Sequence, residues 1–262
     1  MENIREPAVA GSFYPADPNE LQQQLDTLLA AVNDGNPPPK AMILPHAGYI
    51  YSGPVAASGY ARLAGNTGRI TRVILLGPAH RQYVKGLALP DATAFSTPLG
   101  TIPLDIEALR QIRQLPQVSA DAAAHRSEHS LEVHLPFLQR TLKDFTLVPI
   151  LVGDTTAEEV REVIEKLWGG RETLLIVSSD LSHYHDYATA TRRDEATSKA
   201  IEALALEDID HHDACGCNPV SGLLLYARQH GLHIKTIDLR NSGDTAGPRD
   251  QVVGYGAYVL TE

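Results

Sequence analysis

Three apolar runs in this chain each stop at a histidine or a few residues before one. They are KAMILPH, ending at His46; RVILLGPAH, ending at His80; and TLLIVSSDLSH, which carries Asp180 and His183. Imidazoles delivered by separate strands can converge on one point, as a metal site or a general base requires. A carboxylate beside an imidazole fixes its tautomer and raises its basicity. Asp180 and His183 are three residues apart, so a single helical turn would set them on one side. His185 and Asp186 read as a solvated continuation of that loop.

Two further segments carry chemistry-bearing side chains. EHSLEVH contributes Glu128, His129, Glu132 and His134. It is not the HExxH zinc helix, because its histidines are five apart and would diverge on a regular helix. One of them can face a pocket while the other packs, with Glu128 and His129 the better placed to line a site. The segment Cys215–Gly216–Cys217 lacks the second cysteine pair of a zinc ribbon. It reads either as two small hydrophobes or as the source of one thiolate completing a His/His/Cys site.

The elements that must position these groups follow from the hydrophobic pattern. Runs of four to six apolar residues between polar or Gly/Pro punctuation predict strands buried on both faces, at 41–45, 72–77, 146–153 and 173–178. In an open α/β sheet, ligands bind in the crevice beyond the carboxyl ends of such strands. Leu21, Leu25, Leu28 and Leu29 form a helical stripe with Asp17 or Asn19 as N-cap, and NDGNPPPK (33–40) links it to the first buried strand. Pro54 suits the first turn of the small-residue helix after His46. Residues 84–104 read as antiparallel β structure beside the main sheet, 105–114 as a helix and 118–128 as a polar loop. Helical patterns run to about 230, broken by DIDHHDACGCNP, and HIKTIDLR and QVVGYGAYVL close the chain as strands. The expectation is one α/β domain over 1–262, with a mostly parallel or mixed central sheet flanked by helices.

Composition narrows the function. A net charge of −10, from 32 acidic and 22 basic residues, argues against a nucleic-acid partner. No window approaches the roughly 18 apolar residues of a membrane span. The N-terminal MENIREPAVAGSFYPADPNE lacks a signal-peptide pattern, and two cysteines offer no disulfide framework. The chain reads as cytoplasmic and reduced.

Taken together, AGSFYP (10–15), LPHAGYIYSG (44–53), GPAH (77–80), FSTPLG (95–100), SEHSLEVHLPF (127–137), VPILVG (148–153), SSDLSHY (178–184), CGCNPVSG (215–222), NSGDTAG (241–247) and VVGYGA (252–257) resemble the Memo family, especially its bacterial and archaeal branch. The blocks run in order through nearly the whole length. That family looks related to the class III (LigB-type) extradiol dioxygenases, which open aromatic rings with non-haem Fe(II). The resemblance implies a LigB/Memo-like α/β fold with its pocket at strand ends. It places metal ligands on His46, His80 and Cys215, and the family's nearby acid and imidazole on Asp180 and His183. It also implies a functional link to a radical-SAM protein and an AMMECR-type protein.

One departure from the dioxygenase pattern stands out. The third ligand there is a carboxylate, whereas this chain has a thiolate, which is softer and more easily oxidised. Ring cleavage therefore does not transfer with the fold. Cys217 adds a competing thiolate. The expected activity is that of a metal-dependent, dioxygenase-like redox enzyme acting on a small organic or peptide substrate. One transition metal is expected, with Fe(II) the leading candidate and copper or zinc behind it. His183 would move a proton, with His129 as the second candidate, while Tyr49, Tyr184 and Glu128 would line the substrate pocket. A zinc hydrolase and a non-catalytic metal- or peptide-binding protein are the rival readings.

Overall fold

The computed structural model describes residues 3–32, 36–64 and 68–261. Its strands are β1 (Ile4–Arg5), β2 (Ala41–Leu44), β3 (Arg72–Pro78), β4 (Leu87–Leu89), β5 (Ala94–Thr97), β6 (Gly100–Pro103), β7 (Val118–Ala120), β8 (Thr146–Val152), β9 (Thr173–Ser178), β10 (His183–His185), β11 (His233–Asn241) and β12 (Val252–Thr261). Nine of them form one mixed sheet in the order β10-β12-β2-β9-β3-β8-β4-β7, with β11 paired to β12. The middle four, β2, β9, β3 and β8, are parallel. They are almost wholly buried, which is why they read as continuous apolar runs rather than alternating ones. Parallel pairing puts the carboxyl ends of β2, β3 and β9 on one edge, and the three histidine-bearing segments leave from it.

The helices are α1 (Pro18–Ala30), α2 (Tyr49–Tyr60), α3 (Ile106–Ile112), α4 (Ala122–Arg126), α5 (Leu135–Thr141), α6 (Ala157–Leu167), α7 (Tyr187–Glu202), α8 (Cys217–His230) and α9 (Ser242–Thr245). Their starts are chemically explicit. Asp17, not Asn19, caps α1 by accepting from the N–H groups of Asn19 and Glu20. Thr156 and Glu159 form a reciprocal capping box at α6. Leu21 and Leu25 are fully buried. Leu28 and Leu29 pack partly against the core.

Several local expectations need correction. Pro54 lies in the interior of α2, because the helix already begins at Tyr49 behind Gly48. Residues 84–104 divide between two sheets: β4 runs antiparallel to β8 in the main sheet, whereas β5 and β6 form a hairpin that joins β1 in a separate three-stranded sheet. The polar stretch 118–128 contains the edge strand β7 and the short helix α4. Of the linker at 33–40, residues 33–35 lie outside the described residues. Finally, the chain after β9 makes no helical turn. It stays extended and pairs with β12, Leu181 N–H donating to Gly254 O and Gly254 N–H to Ser182 O.

Candidate metal centre

Strand register sets the geometry. Leu44 is in register with Ser178, so His46 and Asp180, each two residues further on, leave the sheet side by side. The His46 N–H donates to Asp180 Oδ1 at 2.8 Å. His80 leaves the neighbouring β3 two residues past Pro78. Its ring centroid is 5.2 Å from that of His46, and the His129 ring packs 4.8 Å from His80 and 5.5 Å from His46. Cys215 enters from the loop before α8. A Cβ at Gly216 would lie 2.6 Å from Ser178 O, so only glycine lets this loop press against the end of β9.

Hydrogen bonding behind these rings fixes their tautomers. The single Ser178 hydroxyl proton goes to Ser130 O at 2.7 Å. His46 Nδ1, at 2.6 Å, and His134 Nε2, at 2.9 Å, must therefore donate to Ser178 Oγ. That leaves His46 Nε2 with a lone pair, 3.4 Å from Cys215 Sγ. For His80, Nδ1 lies 3.0 Å from Glu128 Oε1, so the carboxylate accepts and Nε2 is again the free nitrogen. Close approach here depends on Gly77, whose absent Cβ would sit 2.8 Å from Leu131 and 3.0 Å from Ser130 Oγ.

Donor atoms of His46, His80 and Cys215 lie within 4.8 Å of one another. Two imidazole lone pairs and a thiol in that compass form an acceptable donor set for a transition metal. Burial pushes the His46 pKa far down, helped by the neighbouring His80, His129 and His134, so its lone pair stays available. Burial, with the Asp180 carboxylate beside it, pushes the Cys215 thiol well above its ordinary value. The thiol must therefore lose its proton when it binds a metal. Burial also raises the Asp180 carboxyl, against the pull of His183 and the His46 N–H.

The other expected site residues are distributed as follows. Glu128 stands behind His80 instead of lining the pocket. Its oxygens accept from the N–H groups of His80, Arg81, His129 and Ser130 as well as from His80 Nδ1. Burial works to raise its carboxyl, but His129, His80 and the Ser130 N–H outweigh it and hold the group well below the usual range. A carboxylate so fully engaged is an orienting group for His80, even though His80, Glu128 and His129 also lie within ligating distance of each other. Tyr49 is a core residue, buried, its hydroxyl donating to Val133 O at 2.8 Å. Asp180 does not orient His183: among the described residues no hydrogen bond or ion pair joins them, although the imidazole pulls the carboxyl down. His183 Nδ1 donates to Leu181 O at 2.8 Å instead, leaving Nε2 as the acceptor.

His46, His80, His129, Asp180, His183, Tyr184 and Cys215 all line one cavity of about 640 Å³. His185 lines it too, unlike the solvated residue expected, while Asp186 turns away and caps α7 by accepting from Thr189 N–H. Arg81, His211 and His212 also face this cavity and were not anticipated. The His-His pair inside an acidic loop, DIDHHDACGC, was the available signal. Cys217 points to His211, with Sγ 3.0 Å from Nδ1, and burial pushes its thiol up to about 12. It is not among the groups within ligating distance of His46 and His80. A surface cavity of about 540 Å³ between Leu99 and Thr146 gathers no such groups and lies apart from this chemistry.

A sequence profile of Memo-like proteins matches residues 5–259. The chain belongs to the Memo family. A MEMO1 family protein of Aquifex aeolicus (strain VF5) is 35% identical over 266 residues, covering 96% of this chain and 97% of its own length. Another, from Methanopyrus kandleri, is 34% identical over 279 residues, covering 98% of each chain. Among solved structures, an uncharacterized protein of Escherichia coli K12 (JW3007) superposes with a TM-score of 0.54 over 84% of this chain and 98% of that one. At 14% identity that likeness shows the shared fold alone. The Memo fold of this chain is thus a mixed α/β domain, and no helix among its described residues is long and apolar enough to cross a membrane.

Proposed function

We propose that this Memo protein is a metal-dependent redox enzyme of dioxygenase-like type, acting on a small organic or peptide substrate. The observation that carries the reading is the pair of imidazoles whose Nδ1 atoms are tied back, to Ser178 and to Glu128, leaving both Nε2 lone pairs free in a group whose donor atoms, the Cys215 thiol included, lie within 4.8 Å of one another. His46, His80 and Cys215 would hold one metal, with Fe(II) first and copper next. When bound, such a metal supplies one-electron redox chemistry and a Lewis-acid centre for a substrate oxygen.

The chain's own groups do the rest. His183, its Nδ1 proton engaged by Leu181 O, presents Nε2 to the cavity and can take a proton from substrate. His129 is the second candidate: its buried Nδ1 lies 3.2 Å from Glu128 Oε1 but without hydrogen-bond alignment. Asp180 fixes the His46 backbone, and its own N–H donates to Cys215 Sγ at 3.3 Å. The hydrolase alternative loses one of its bases, because Glu128 has no free acceptor position in the cavity.

The test is anaerobic reconstitution with Fe(II), copper or zinc, followed by oxygen-electrode assays over a panel of small organic substrates. Oxygen uptake with iron or copper, absent with zinc and lost in His183→Gln, is expected. Turnover that tracks zinc and survives anaerobiosis would overturn the redox assignment.

A further inference from the structure

Next to the metal-ligand cavity lies a second chamber of about 340 Å³, which shares His129, Asp180, His183 and Tyr184 with it. Its walls carry four aromatic side chains, Phe13, Tyr51, Tyr184 and Tyr255, and its described lining contains no lysine or arginine. Among the described residues lining it, Asp180 alone carries a carboxylate.

Three observations indicate that these rings await a guest. Tyr255, on β12, is only 2% exposed, yet its hydroxyl has no hydrogen-bond partner among the described residues. That hydroxyl is not among the described buried polar atoms left unpaired, so it opens onto the chamber and stays free for a guest. Tyr255 shares the chamber wall with Asp180, Tyr51 and Tyr184. Second, the rings of Tyr51 and Tyr255 stack on no other aromatic and no cation among the described residues, whereas Phe95, Trp168 and Tyr187 each already carry a basic side chain. Third, Tyr184 has φ of 61°, one of two non-glycine residues described in the left-handed region. A bulky residue held there is strained, and such strain clusters at ligand sites. The result is a 72% exposed ring at the edge shared by both cavities.

We propose that this chamber is the substrate-recognition compartment and that it takes an organic cation, an alkylammonium group, enclosed by Tyr51, Tyr184, Tyr255 and Phe13 beside Asp180. Ring faces attract ammonium groups through their quadrupole, and more strongly when desolvated. No lysine or arginine in the described lining would pair with an anion, the imidazoles of His129 and His183 being shared with the metal-ligand cavity, and the net charge of −10 favours cation approach. The proposal rests on the metal-centre reading only in taking the guest to be that centre's substrate.

Three probes of one shape and different charge test it: choline, 3,3-dimethylbutan-1-ol and 3,3-dimethylbutanoate. Each is titrated calorimetrically into the full chain, both metal-loaded and metal-stripped, with metal content measured on the same samples. Choline is expected to bind about tenfold tighter than the alcohol, and the butanoate weakest of the three. Tyr51→Ala, at a half-exposed position that leaves the core intact, should abolish the preference for choline, and Tyr255→Leu should do the same if it folds. Choline binding no tighter than the alcohol, or a preference that survives Tyr51→Ala, overturns the proposal. The quaternary nitrogen has no lone pair for a metal. Charge preference in a chain that takes up no metal would therefore uphold the chamber while the metal reading fails. A metal-loaded chain without that preference would refute the chamber alone.

Discussion

Glu128 and Glu132 stand four residues apart in one motif, and both are buried, at 2% and 0% exposure. They face different tasks. Glu128 stands behind the cavity-lining His80 and sets its tautomer. Glu132 turns away and grips the N-terminal segment: it pairs with the Arg5 guanidinium and accepts from the N–H groups of Ala8 and Val9 and from the Tyr14 hydroxyl at 2.6 Å. Burial and residue type are the same, so neither identifies a functional carboxylate. What identifies it is the destination of the group that donates to it, a cavity-facing imidazole in one case and a strap of backbone in the other.

The two carboxylates should part most clearly when Glu132 is removed. Glu132→Ala leaves a buried guanidinium and several buried donors unpaired, and should cost about 3–5 kcal/mol of folding stability. Metal bound per folded chain should be unchanged. Denaturant melts and elemental analysis on the same preparation check both halves, and a lost metal with stability intact would invert the assignment.

Acid should sharpen the same contrast, with a somewhat smaller effect. His125 lies on the Glu132 side, its carbonyl accepting from Arg5 Nε and its Nε2 donating to Ala88 O. Burial lowers its pKa to about 4, against the opposing Ala88 bond. The unfolded chain therefore binds the proton more readily, and stability is full above the ordinary histidine pKa and lost as pH falls toward 4. The slope should be about 1.4 kcal/mol per pH unit from this residue, roughly 3 kcal/mol in all. His125→Gln keeps a donor for Ala88 O without titrating, so its stability should fall less steeply with acid than that of the wild type. Equal slopes would refute the assignment.

Glu128→Gln carries the smallest of these effects. It should weaken metal affinity about 10- to 100-fold, equivalent to about 1.4–2.8 kcal/mol, by loosening the His80 tautomer. Competition with a chelator reads this directly, and Glu132→Gln should leave the affinity unchanged. Equal losses in the two variants would erase the distinction between the carboxylates.

Strand-end placement of His46, His80 and Asp180 was legible in the sequence, because short, β-branched apolar runs between Gly, Pro and polar residues favour buried strands, whose ends project from the sheet. The phase of short elements was not. Tyr49 and Tyr51 sit two apart at the start of α2, and only the cap at Gly48 decides that the first enters the core and the second reaches the chamber. The Asp180–His183 spacing suggested a turn, but β12 recruited that backbone into the sheet, a long-range pairing that local spacing does not encode. Similarly, the sequence favoured Glu128 as a pocket residue, but neither its place behind His80 nor the grip of Glu132 on the N-terminal segment was legible. Roles set by partners distant in sequence were the ones that stayed hidden.

If Cys215, not Cys217, completes a site with His46 and His80, metal retention should depend on that thiol alone. Metal content of anaerobically purified wild type, Cys215→Ser and Cys217→Ser tests it most directly. We expect one transition metal ion per chain in the wild type and in Cys217→Ser, and its loss in Cys215→Ser. Equal metal in all three chains, or loss in the Cys217 variant alone, would contradict the account.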